Sequence, residues 1–369
     1  MKIKFCFLTV LFSMAVFLSN SVQAQKFSNW QTNISKKSID LNTLKSGGPP
    51  KDGIPSINEP KFVTIDQAKT WINQNEPVIA FQLNNIARAY PLQVLIWHEI
   101  VNDQIDEIPI LVTFCPLCYS AIVFDRRIEG ETLEFGVSGF LRHSDMIMFD
   151  RKTESFWQQF TGEAVVGDYT GTRLKILPSQ IMSFNQFRAI HPDGKVLSKE
   201  TGHQRPYGKN PYVGYDDVNN TPLFIDEPQD GRLKPMQKVV GIQVKDAQKA
   251  YPYSITREEN IIHDEFNGTQ IVVFHTDGAR SAMDASRISE SREDGTSGAF
   301  NRNVNDQTLT FSFEDGIITD NQTGSRWTIS GKAIEGPLEG HQLEQLIFGD
   351  YFAFAWLVFW PETEIYTQD

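Results

Sequence analysis

Ala89-Tyr90-Pro91, with Asn102-Asp103 and the apolar run Ile110-Leu111-Val112-Thr113-Phe114 behind it, comes back later in the same chain. The second occurrence reads Ala250-Tyr251-Pro252, then His263-Asp264, then Gln270-Ile271-Val272-Val273-Phe274. The order holds further on. Leu133-Glu134-Phe135 is answered by Leu309-Thr310-Phe311, Phe149-Asp150 through Trp157 by Thr319-Asp320 through Trp327, and Gly162–Gly167 by Gly331–Gly336. So many matches in one order indicate a duplication, each copy being one unit that packs against its neighbour.

Within the first copy, short β-like runs (Val78–Leu83, Ile110–Phe114, Ala121–Phe124, Thr132–Val137, Met146–Phe149) are separated by turn residues such as Asn84-Asn85 and Glu129-Gly130. No Gly-rich nucleotide loop or regular strand–helix alternation appears. The expected fold is therefore α+β and β-rich. It has two tandem repeats of mostly antiparallel sheet, a sandwich or partly closed barrel in each, with a few short helices. Residues 51–180 are read as the first repeat, 181–235 as a connecting segment and 236–362 as the second repeat. The polar stretch 25–50 reads as a flexible leader. Within the connecting segment, His203 to Asp217 is rich in Gly, Pro and Tyr, and is either a surface connection or a loop over a site. The apolar run Tyr351–Trp360 is too short to span a bilayer and is assigned to the core.

The N-terminus points to export. Lys2 and Lys4 precede the apolar run Phe5–Leu18, and Val22-Gln23-Ala24 is a small-residue cleavage pattern, so residues 1–24 read as a signal peptide cleaved after Ala24. The expected location is the periplasm or the medium, with no membrane span after cleavage. The formal charge of −12 becomes −14 once those two lysines are gone. Such an acidic chain argues against nucleic-acid or anionic-membrane partners, both of which reward a basic face.

Of three cysteines, Cys6 leaves with the signal peptide. The remaining pair, Cys115-Pro116-Leu117-Cys118, follows a strand-like run and is the best candidate for chemistry. Two thiolates at this spacing can chelate a soft or borderline metal ion, copper or zinc, with His98 as the leading further ligand and His143, Met148 and His275 behind it. The alternative is thiol–disulfide exchange with a redox partner, since Pro beside the first Cys resembles oxidoreductase motifs. Against that, the residues after Cys118 read as a strand rather than a long helix. A nucleophilic thiol activated by His98 and oriented by Glu99 or Asp103 ranks third, and a silent disulfide is the non-functional reading. The second copy carries Phe274-His275-Thr276-Asp277-Gly278 where the first carries Phe114-Cys115-Pro116-Leu117-Cys118. By that alignment His275 stands at the Cys115 position, and a pseudo-twofold arrangement is expected to bring His275 and Asp277 toward the thiols. The thiols are not needed to build the repeat, because the second copy lacks them.

Several of these motifs occur together in one known family. Asp52-Gly53-Ile54-Pro55, Ala89-Tyr90-Pro91, Trp97-His98-Glu99-Ile100-Val101-Asn102-Asp103, Phe114-Cys115-Pro116-Leu117-Cys118, Phe135-Gly136-Val137-Ser138-Gly139, Ser144-Asp145 with Asp150-Arg151, and Gly162-Glu163-Ala164 resemble the domain of unknown function 3179, a family of exported or membrane-associated bacterial proteins. The resemblance covers nearly all of the mature chain. It implies that the first copy's motifs form one site, and it implies no activity.

Overall fold

A computed structural model describes residues 27–225 and 230–368, and the signal-peptide assignment lies outside them. The duplication is written into the sheet order. In the first copy Gln180–Ser183, Pro77–Leu83, Ile86–Pro91 and Lys195–Leu197 lie side by side, the last pairing parallel and the others antiparallel. In the second copy Ile347–Phe352, Lys238–Val244, Ala247–Pro252 and Glu364–Ile365 repeat that order and those directions. A second sheet pairs Ile100–Ile105, Ile108–Cys115, Ser120–Asp125 and Lys175–Leu177, matched by Ile261–Phe266, Thr269–Thr276, Thr296–Asn301 and Glu344–Gln345. A third runs through Phe135–Arg142, Asp145–Asp150, Phe156–Gln158 and Glu163–Val166, matched by Phe311–Glu314, Ile317–Asp320, Arg326–Trp327 and Ala333–Glu335. The chain is thus β-rich with mostly antiparallel, open sheets and a few short helices.

Each copy locks its third sheet with the same polar knot. The buried Asp150 carboxylate accepts bonds from the Thr153 amide at 2.6 Å and the Trp157 indole at 3.0 Å. Asp320 does the same for Thr323 and Trp327, at 2.6 and 3.0 Å. A buried carboxylate survives only when donors surround it, which is why Asp, Thr and Trp recur at fixed offsets in both copies. Asp150→Ala strands both donors in the core. It is expected to lower unfolding free energy by about 3 kcal/mol or more, checked by urea denaturation, with Asp320→Ala a parallel case.

The two copies share apolar ground. Phe114, Tyr119 and Phe160 of the first belong to one buried cluster with Tyr351, Phe352 and Trp356 of the second. The ring of Phe160 stacks on Phe359 at 4.6 Å. The run assigned to the core contains the helix Ala353–Phe359, largely buried.

Three sequence readings are revised. The stretch 27–50 is not a free leader: Phe27, Leu41 and Leu44 are buried against Ile147, Phe149 and Phe156. Lys45–Ser46 adds an edge strand to Phe135–Arg142. That docking needs a glycine, because Gly139 has φ +81° and a Cβ there would lie 2.1 Å from the Pro49 carbonyl oxygen. The first copy also extends past residue 180, since Gln180–Ser183 and Lys195–Leu197 complete its first sheet. Finally, the copies register one residue away from the sequence match at the cysteine strand. Ile100 faces Thr113 as Ile261 faces Phe274. The Phe114 amide donates to the Glu99 carbonyl as the His275 amide donates to Asn260. His275 therefore corresponds to Phe114, and Thr276 stands at the Cys115 position.

Candidate metal centre

Cys115 ends its strand, Pro116–Cys118 forms one 3-10 turn, and Tyr119 caps it in the left-handed region at φ 55° before the chain returns at Ser120. This short loop turns Cys118 back beside Cys115. A hairpin tip closes on them from the other side. Phe135–Arg142 and Asp145–Asp150 are joined by His143 and Ser144, both with positive φ, as a tight two-residue hairpin turn requires. The matching hairpin of the second copy, Phe311–Glu314 with Ile317–Asp320, is shorter and turns at Asp315-Gly316. The added length in the first copy delivers Asp145.

The Cys115 and Cys118 sulfurs and a carboxylate oxygen of Asp145 lie within 4.8 Å of one another, and all three residues are buried. Asp145 Oδ2 accepts from Gln158 Nε2 at 2.6 Å and from the Phe160 amide at 3.0 Å, whereas Oδ1 is buried with no hydrogen-bond partner. Cys115 Sγ lies 3.9 Å from the Ser144 carbonyl oxygen. Glu99 adds a second buried acid, held on a left-handed backbone at φ 57°, a conformation costly for a residue with a Cβ and common at functional sites.

Burial dominates the electrostatics. It pushes the Asp145 carboxyl up to about 7, against hydrogen bonds from Gln158 and the Phe160 amide that pull it down. Burial, then the charge of Asp145, raises Glu99 to about 8. Both thiols are also raised by burial, and the nearby acids push them in the same direction. Together they form a buried cluster of two acids and two thiols.

Asp145 is not among the ligands expected from the sequence. The available signal was the hairpin's extra length, since Ser144-Asp145 has no counterpart in the second copy. The histidines proposed from sequence to complete the shell are not among the three grouped residues. His98 has both ring nitrogens engaged, Nδ1 with the Pro55 carbonyl and Nε2 with the Tyr207 hydroxyl, each at 2.7 Å. A carbonyl only accepts, so Nδ1 carries the proton and Nε2 accepts from tyrosine. Burial lowers this histidine to about 4, which keeps it neutral. His143 sits in the hairpin turn with its ring edge-on to Phe359 at 5.6 Å. Met148 is packed in the sheet between Val137 and Trp157. His275 bonds Thr256 at 3.1 Å and meets the Tyr253 ring at 4.9 Å. None of these histidines belongs to the Cys115–Cys118–Asp145 group. Asp103, named as an orienting acid, is taken up by Arg88 and the Tyr90 hydroxyl. The expected outcome for His98→Gln is an unchanged metal content per chain, measured by mass spectrometry.

The segment following His203 does lie over the site. Tyr215 donates to the Leu117 carbonyl at 3.2 Å, the Trp97 indole donates to the Lys209 carbonyl at 3.1 Å, and burial, then the nearby Glu99 and Cys115, raises the Tyr212 hydroxyl. Among the described residues, no helix is long and apolar enough to cross a membrane.

Neither the curated proteins nor the solved structures contain a match to this chain. A family does match, over residues 51–363, and those residues include the thiols, Asp145 and both copies of the duplicated fold. The chain belongs to the family described as Protein of unknown function (DUF3179).

Proposed function

We propose that this is an exported protein, working in the periplasm or outside the cell, that binds one zinc ion through Cys115, Cys118 and Asp145. The observation that carries the reading is the convergence of two buried thiols and a buried carboxylate oxygen that accepts no protein hydrogen bond. Deprotonated, these groups are a good zinc set, with bonds of roughly 2.3 Å to sulfur and 2.0–2.2 Å to oxygen. Three such ligands around one ion stand roughly 3.3–3.8 Å apart, so the group needs to contract by only about an ångström. The carboxylate favours zinc over copper(I), which selects all-soft sets.

Thiol–disulfide exchange has less support. An attacking thiol needs a lowered pKa, and burial raises both of these. The test is metal content by mass spectrometry with free-thiol titration on protein from an exporting host. Near-stoichiometric zinc, lost in Cys115→Ser/Cys118→Ser, supports the reading. No metal, with a disulfide that dithiothreitol opens and an oxidant closes, moves it to redox chemistry.

A further inference from the structure

We infer that the ion at this site is exchangeable rather than structural, and that residues 201–217 are the cover past which it enters and leaves. The inference rests on the zinc reading and goes beyond it to how the site is used. Three observations carry it.

A structural zinc site supplies folding energy and is closed by four protein ligands. The second copy builds the same three sheets with Thr276 at the Cys115 position and no thiol, so the fold does not depend on an ion there. Among the described residues the site has three grouped ligands, and a site with three protein ligands keeps a fourth position for an incoming ligand.

The cover is attached unequally on its two sides. To the second copy's long loop it is tied by backbone: the Asn210 amide to Ser286, the Gly214 amide to Met283 and Asp284, and the Ile288 amide to Gly208, at 2.8–3.1 Å. To the half that holds the thiols its bonds come through side chains, namely Tyr207 to His98, Trp97 to the Lys209 carbonyl and Tyr215 to the Leu117 carbonyl. Residues 201–217 contain no helix and no strand, and Lys209, Pro211 and Val213 face solvent while Tyr215 is buried. The second-copy side also holds the buried Asp216 carboxylate in an ion pair with Arg292 at 2.6 Å, so the first-copy side is the one that releases.

The test is Tyr207→Phe/Tyr215→Phe, which keeps both rings and removes only the hydroxyls that reach His98 and the Leu117 carbonyl. Two rates are read: disulfide-reagent modification of the thiols in metal-free protein, and zinc transfer to a chromophoric chelator from loaded protein. Both are expected to rise about tenfold or more, with zinc affinity at equilibrium within about twofold of wild type. Metal-free wild type is expected to keep its circular dichroism and its cooperative melting. Unfolding on zinc removal, or variant rates equal to wild type, overturns the inference. Wild-type protein that takes up no zinc overturns the zinc reading and the exchange with it, while the thiol-reagent rates still decide whether residues 201–217 are a cover.

Discussion

Asp145→Asn is expected to weaken zinc binding more than about a hundredfold while making the metal-free protein more stable at pH 8. The first effect follows from removing a charged ligand, when changes even outside the ligand shell cost about 10–100-fold. The second follows from burial. Above neutral pH the wild-type carboxylate must either ionise without a compensating charge or hold a proton against its ordinary acidity. Asparagine meets neither demand. Its carbonyl still accepts from Gln158 and the Phe160 amide, and its amide faces the thiols. A carboxyl moved from 3.8 to about 7 corresponds to a gain on the order of 4 kcal/mol when the acid is neutralised. Isothermal titration with zinc and urea melts at pH 8 read the two effects separately. A variant that binds zinc as wild type does would remove Asp145 from the site.

The second large effect is a stability that depends on pH in opposite senses with and without metal. Asp145 and Glu99 are raised in the fold, to about 7 and about 8. Groups raised in this way contribute stability that is fully present below their ordinary values near 4 and is lost as pH rises through the folded values. Metal-free protein should therefore lose melting temperature between about pH 5 and 8. His98, lowered to about 4, acts in the other direction, since its contribution is lost as pH falls from about 6.5 to about 4. Glu76 and Asp350, each raised to about 6, add to the acid side. The contribution of the site is therefore read as the difference between wild type and Asp145→Asn/Glu99→Gln, which should widen steadily up to pH 8. Zinc reverses the trend, because its ligands must lose protons to bind. The stabilisation by zinc should grow over the same range. A wild-type minus variant difference that is flat with pH would mean the acids are not held protonated in the fold.

The duplication was legible because each copy must satisfy the same buried carboxylate. Asp150 with Thr153 and Trp157, and Asp320 with Thr323 and Trp327, are short-range patterns that backbone geometry forces to recur. The cysteine pair was legible by elimination, as the one thiol pair left once residues 1–24 are read as a signal peptide. Asp145 was not, because its approach depends on how far one hairpin outreaches its counterpart, a long-range consequence of strand length. His98 looked like a ligand from its place beside Glu99 and near the cysteines in sequence. Its ring instead joins Pro55 to Tyr207, contacts that no local pattern reveals. The one-residue slip at His275 has a similar origin. Aligning Phe114 with Phe274 satisfies identity, whereas the ladder places Phe274 opposite Ile261, as Thr113 lies opposite Ile100. A slip of one in a strand turns a side chain to the other face, which is why His275 does not share the position of Cys115. The stretch 27–50 was misread because its apolar residues, Phe27, Leu41 and Leu44, are too sparse to show a period.

The most direct test of the account is zinc-edge X-ray absorption on protein purified from an exporting host. One zinc per chain is expected, with two sulfur neighbours at about 2.3 Å and oxygen at about 2.0–2.2 Å, the sulfur shell lost in Cys115→Ser/Cys118→Ser and the signal weakened in Asp145→Asn. Protein that cannot be loaded with zinc, or zinc held by imidazole without sulfur, would contradict it.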